Sequence, residues 1–338
     1  MDKGKKSRRV LSILLIILVI ATFISVCLGR YPISFEEMVG MFKDKLFGIS
    51  NGSNSEIIMW QVRIPRITVA ILIGVCLSLS GAAYQGVFRN PMVSPDILGA
   101  SAGAGFGAAF GLLIGVSNFS VQIIAFVSGS IAVLIAWWLN HMMGGFETSD
   151  RIMLILSGII TGALFQALIS IVKYVADPFD TMPSIAFWLM GGLNYVTESD
   201  VIFILVPLIL GGIPLLLIRW RLNLMAFDSD EARALGVNIN RYRMFVIICS
   251  TLMTAACVAV GGMIGWVGLI VPHFARIVVG PDYKYMLPVS AVFGGLFMLI
   301  ADDIARCMFS QEIPIGILTA LVGAPVFAVL LIRMRKRI

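Results

Sequence analysis

The stretch "VLSILLIILVIATFISVCL" (residues 10–28) runs for nineteen residues without a charge. As a helix it would be about 28 Å long, close to the ~30 Å hydrocarbon core of a bilayer. The pattern repeats along the chain. Of 338 residues 59% are apolar and the mean hydropathy is +0.97, whereas a soluble domain is about 45–50% apolar. Ten apolar segments are read, over about 10–28, 64–84, 97–116, 121–140, 152–174, 200–218, 244–262, 267–279, 287–305 and 314–332. The fold class is therefore all-α: one polytopic membrane domain over residues 1–338 with about ten transmembrane helices. The eighth segment is too short to cross alone and reads as a partial helix packed inside protein. The first segment imitates a signal peptide, but its apolar run exceeds the usual core of about 7–15 residues, so it is read as a retained span.

Lys and Arg in short loops set the orientation. They cluster in the N-terminus (Lys3, Lys5, Lys6, Arg8, Arg9), in the 219–243 loop and after the last span (Arg333, Arg335, Lys336, Arg337). Ten spans put all three clusters on one side, which the rule makes cytoplasmic. Both termini are expected there. The net charge of +6 follows this topology rather than nucleic-acid binding. The cysteines Cys27, Cys76, Cys249, Cys257 and Cys307 lie in apolar runs without metal-ligand spacing and read as small hydrophobes. His141 and His273 are isolated, and no metal site is expected. Gly99, Gly103, Gly107 and Gly111 recur every four residues, as in close helix packing.

Ion-coupled transporters carry ionisable groups deep in their spans. Here the span interiors hold almost none, which disfavours the main rival, a secondary transporter of a small solute. A membrane enzyme ranks below it, because no catalytic set shares a membrane depth. The sequence also has no GxxxxGK[ST] phosphate loop. If transport is energised, the energy comes from another subunit.

One polar insert stands between the sixth and seventh spans: "FDSDEARALGVNINRYR" (residues 227–243). Asp228 can cap a helix, with Glu231 at capping-box spacing. Gly236 is a natural helix stop. Asn238 can cap a second short helix leading into span seven. The insert reads as helix, turn, helix on the cytoplasmic side, and a plain solvated connector is the alternative.

This insert resembles the coupling segment of the FecCD family of ABC-importer permeases, which serve iron–siderophore, haem and cobalamin uptake. Three other blocks resemble the family in the same order: residues 63–107, "FWLMGGL" (187–193) and residues 265–331. The resemblance implies a cobalamin-importer-permease-like bundle in a bacterial or archaeal cytoplasmic membrane. It implies a second permease subunit, identical or paralogous, two ATPase subunits that use ATP and Mg, and an extracytoplasmic substrate-binding protein. The permease itself would be no enzyme and would bind no cofactor. Ferric siderophore is the expected cargo, with haem and cobalamin open. Asp228, Glu231, Arg233, Ala234, Leu235 and Gly236 become the expected ATPase contacts.

Arg63 and Arg66 lie at the far end of span two, against the positive-inside trend, and Arg306 lies at the same end of span nine. The resemblance implies that these arginines dock carboxylates of the binding protein, and guanidinium suits that role. Headgroup snorkelling or an internal pair, such as Arg306 with Asp302 or Asp303, is the alternative. By resemblance Thr148 and Ser149 stand near a cytoplasmic gate, and either could equally cap the fifth span. Gln85, Asn90 and Pro91 mark a structural turn after the second span.

Overall fold

The computed structural model describes residues 3–49, 52–143, 150–226, 238–308 and 311–335. The described secondary structure is helical throughout. The helices are α1 Lys3–Cys27, α2 Phe35–Leu46, α3 Asn54–Val87, α4 Ala100–Leu113, α5 Asn118–Met142, α6 Asp150–Val175, α7 Thr181–Met190, α8 Glu198–Leu217, α9 Ile239–Gly261, α10 Val267–Val279, α11 Tyr283–Cys307 and α12 Ile315–Arg335. Seven of these are long and apolar enough to cross a membrane, and α4, α7, α10 and part of α12 are shorter apolar helices. Each of the ten expected segments falls on a helix. Helices α2 and α7 are additional.

Helix α3 is the centre of the bundle and packs on α9, α10 and α11. It begins at Asn54, ten residues before the expected 64, because Ser53 caps it by accepting from the Glu56 N–H at 3.2 Å. It also runs straight through Pro65. Proline removes a donor and crowds the carbonyl one turn back. A wide π-turn over Ile58–Arg63 precedes it and accommodates both effects.

Two glycine contacts bring neighbouring backbones onto α3. A β-carbon at Gly81 would lie 1.8 Å from the Gly268 carbonyl oxygen of α10, and one at Gly74 would lie 2.1 Å from the Gly294 carbonyl oxygen of α11. Such approach gives dense van der Waals contact where lipid offers no hydrophobic gain. The short α10 sits between α3 and α11 with its first half buried, as a partial helix requires. The glycine repeat of α4 divides. Gly103 and Gly107 meet Ser128 and Ile124 of α5, whereas Gly99 turns with φ +83 against Gly162 of α6.

The bundle has two ends, here called upper and lower. At the upper end the α1 C-terminus, the start of α3, the α11 C-terminus and the segment before α12 converge. At the lower end the α3 C-terminus, a 3-10 turn over Arg221–Ala226 and the start of α11 converge. After α3 the chain reverses in an Asx turn, with the Met92 N–H on Asn90 Oδ1 at 2.9 Å. Gln85 braces this turn by donating to the Leu269 carbonyl at 3.2 Å and accepting from Arg276 at 2.8 Å. The expected structural turn is present.

Candidate functional site

The upper end carries a buried charge cluster built from two stretches far apart in sequence, residues 63–66 and 302–312. Arg63, Arg66 and Arg306 are 4%, 7% and 5% exposed. Asp302 of α11 is fully buried and takes Arg66 in a fork, with Nε at 2.9 Å from Oδ1 and Nη2 at 2.9 Å from Oδ1. Arg66 Nη1 donates to Glu312 Oε2 at 2.9 Å. Arg306 pairs with Asp303, and its Nε stands 3.7 Å from Asp302 Oδ2. A bare charge in this setting would be very costly, and each carboxylate offsets a neighbouring guanidinium.

Arg63 and Arg306 also do a second job. Arg63 Nη1 donates to the carbonyls of Val26 (2.5 Å) and Cys27 (3.3 Å), and its Nη2 donates to Tyr31. Arg306 donates to the carbonyls of Ser25 (2.7 Å) and Leu28 (3.2 Å) and to Ser25 Oγ (2.6 Å). The last carbonyls of a helix have no partner within it. Two cations close them here and match the negative end of the α1 dipole. Gly29 gives Arg63 its room: at φ +147, a β-carbon there would sit 2.6 Å from Nη2.

The internal pairing left open for Arg306 is thus present, and Arg63 and Arg306 also hold the end of α1. Arg66 differs, because one side of its guanidinium meets Glu312, whose side chain is 24% exposed. Nothing in the sequence points to Glu312 or Ser25, since their partners are 246 and 281 positions away.

Glu312 also faces a cavity of about 450 Å³ at the upper end. Asn118, Gln122, Trp188, Asn194 and Asp200 share the lining, which among the described residues contains no Lys or Arg. Asp200 is held by Gln122 Nε2 at 2.7 Å and by the Thr197 N–H and hydroxyl at 2.7 and 2.9 Å. The bond from the Thr197 N–H is one half of the capping box of α8.

The lower end shows the two feet of the polar insert. The 3-10 turn enters the core through Leu222 and Met225. Arg89, in left-handed backbone at φ +48, donates to the Met225 carbonyl at 2.6 Å. Asn223 donates to Asp282 at 2.8 Å and accepts from the Tyr283 N–H at 3.1 Å, which fixes the turn to the start of α11. Arg221 donates to the Tyr242 hydroxyl and so joins the two feet. Asn238 accepts from the Arg241 N–H at 3.2 Å. It caps the full-length α9 rather than a separate short helix. Asp228, Glu231, Arg233, Ala234, Leu235 and Gly236 lie outside the described residues, as do Thr148 and Ser149.

The profile of the FecCD transport family matches residues 17–333. The molybdate import system permease protein MolB of Haemophilus influenzae is 38% identical over 96% of this chain and 95% of its own length. The Fe(3+)-citrate import system permease protein YfmE of Bacillus subtilis is 37% identical over 97% and 96%. A solved structure of an inward-facing ABC transporter, assigned to the metal-chelate type, superposes with a TM-score of 0.86. It has 37% identity over 96% of this chain and 99% of the other.

Proposed function

The chain belongs to the FecCD transport family of ABC-importer permeases, and from that premise we propose that it carries a ferric siderophore across the membrane. The observation that carries the reading is the near full-length likeness to a transporter assigned to the metal-chelate type. The cargo would arrive on an extracytoplasmic binding protein. A separate ATPase pair, using ATP and Mg, would supply the energy, and a second permease copy or paralogue would complete the pathway. The chemistry of the spans agrees: the buried Asp302 is committed to Arg66 and Arg306 and is not free to relay ions. The described lining of the upper cavity offers no Lys or Arg to a bare oxyanion. One observation favours a molybdate reading, the 38% identity to MolB.

The lower end is the proposed cytoplasmic side, with both termini there. Residues 227–243 are the proposed coupling segment. Its supports are the two feet, tied to α3, α9 and α11, so a push on the insert reaches three core helices. The upper end is the proposed docking face for the binding protein, through Arg66 above all. Thr148 and Ser149 remain the proposed gate, on the resemblance alone.

The test is uptake into proteoliposomes holding the permease, its ATPase and its binding protein, supplied with labelled ferric siderophore, haem, cobalamin or molybdate. ATP-dependent uptake of the ferric siderophore alone is expected. Uptake of molybdate alone would replace the cargo reading, and ATP-independent uptake would overturn the importer mechanism.

A further inference from the structure

Helix α2 and its exit turn form an apolar tip that the described residues leave exposed. Phe35, Leu46, Phe47 and Ile49 are 65%, 84%, 80% and 51% exposed. The tip is not a loose end. Gly48 at φ +67 closes α2 with the Ile49 N–H on the Asp44 carbonyl at 2.8 Å and the Gly48 N–H on the Lys45 carbonyl at 3.3 Å. This is the Schellman arrangement, in which the residue after the glycine commonly folds back onto the helix. Here Ile49 points outward instead. The other face is pinned: Met38 is fully buried among Val26, Ile33 and Met59, and Phe42 meets Trp60 edge-on with ring centroids 5.2 Å apart. At the other end the capping box of Ser34 and Glu37 fixes the helix start. A rigid element thus holds bulky apolar side chains away from its own protein, an arrangement that marks an interaction surface.

We infer that α2 is an interfacial anchor: the Leu46–Phe47–Ile49 tip enters the edge of the phospholipid leaflet and Lys43 meets its headgroup phosphates. Position supports lipid as the occupant. Helix α2 lies between the end of α1 and the start of α3, so it stands at a membrane boundary whichever side that boundary faces. Helix α1, which shares a buried cluster with α2 through Val26 and Met38, has its own exposed apolar residues at Ile16, Ile20, Ile24 and Leu28. Tyr31, Trp60 and the lysines Lys43 and Lys45 supply the aromatic and cationic belt found at that depth, with Lys45 Nζ 5.2 Å from the Trp60 ring centre. An amphipathic helix gains in proportion to the apolar area it inserts and to its attraction for anionic headgroups. The inference does not depend on the cargo or on the docking reading.

The test uses the full permease in nanodiscs of phosphatidylcholine and phosphatidylglycerol. Cys27 and Cys307 are replaced by serine, and an environment-sensitive NBD label is placed at Phe47→Cys. Leu46→Cys serves as a second site should the first fail to fold. Blue-shifted emission is expected, with loss of most intensity to lipids carrying a nitroxide near the headgroup and little response to aqueous iodide. A label at the exposed Glu36→Cys should respond to iodide instead. Emission at residues 46 and 47 that iodide quenches and nitroxide lipids do not would overturn the anchor. So would shielding that appears only when binding protein or a second permease copy is added, which would assign the tip to a protein partner.

Discussion

The two ends of α3 are held in different ways. At the upper end three guanidiniums and three carboxylates gather in one cluster around the fully buried Asp302, with only Glu312 and Asp303 partly exposed. At the lower end Arg89, Gln85 and Asn223 make separate hydrogen bonds to carbonyls, a guanidinium, a carboxylate and a backbone N–H. A buried ion network has no cheap intermediate state, because breaking one pair strands a charge. A set of neutral or singly charged bonds can exchange partners at about 0.5–3 kcal/mol each. The Asp302 core of the upper end is therefore costlier to break than any one bond at the lower end.

The largest expected effect breaks the upper lock. Asp302→Ala would leave Arg66 and Arg306 short of a buried counter-charge, at a cost of about 3–5 kcal/mol. Thermal unfolding of the purified permease should show a marked fall in midpoint, and a stability within experimental error of the parent would mean the cluster is not locked. Next, Gly81→Ala tests the shaft between the ends. Its β-carbon meets the Gly268 carbonyl, and overpacking of that kind costs about 1–3 kcal/mol or more. Reduced accumulation of folded protein on size-exclusion chromatography is expected. At the lower end, Asn223→Ala should cost only about 1–2 kcal/mol, yet it should lower uptake per ATP hydrolysed in proteoliposomes. Unchanged coupling would reduce the turn to a connector. Smallest is Glu312→Gln. A partly exposed pair contributes less than about 1 kcal/mol, so stability should hold while capture of the binding protein strengthens by a few-fold, measured by surface binding to nanodiscs.

The architecture was legible because apolar runs are local in sequence. Every expected span falls on a helix, and even the short α10 keeps its expected limits of 267–279. The misses have physical causes. The start of α3 was hidden because Asn54–Arg63 is too polar to read as a span, and only the Ser53 cap and the π-turn reveal it. Helix α2 was missed because its twelve residues mix Glu, Lys, Met and Phe without crossing length. The arginines were legible as anomalies against the charge rule. Their partners were not, since the contact between Arg66 and Asp302 spans 236 positions. Positive-inside counting identifies a misplaced cation and says nothing about which carboxylate lies beside it.

The charge cluster has one further consequence, which concerns kinetics. Arg63, Arg66 and Arg306 against Asp302, Asp303 and Glu312 sum to zero, so the cluster presents no vacant cation. A carboxylate arriving at Arg66 from outside would therefore enter by substitution, with Glu312 as the leaving group. The equilibrium of such an exchange is the difference between two similar bonds, so salt weakens both sides together and the net dependence on ionic strength stays small. The reverse step needs no water to rescue the stranded guanidinium, because the displaced Glu312 remains tethered nearby and can return. An exchange of this kind would allow fast capture and release, as the proposed docking face would need.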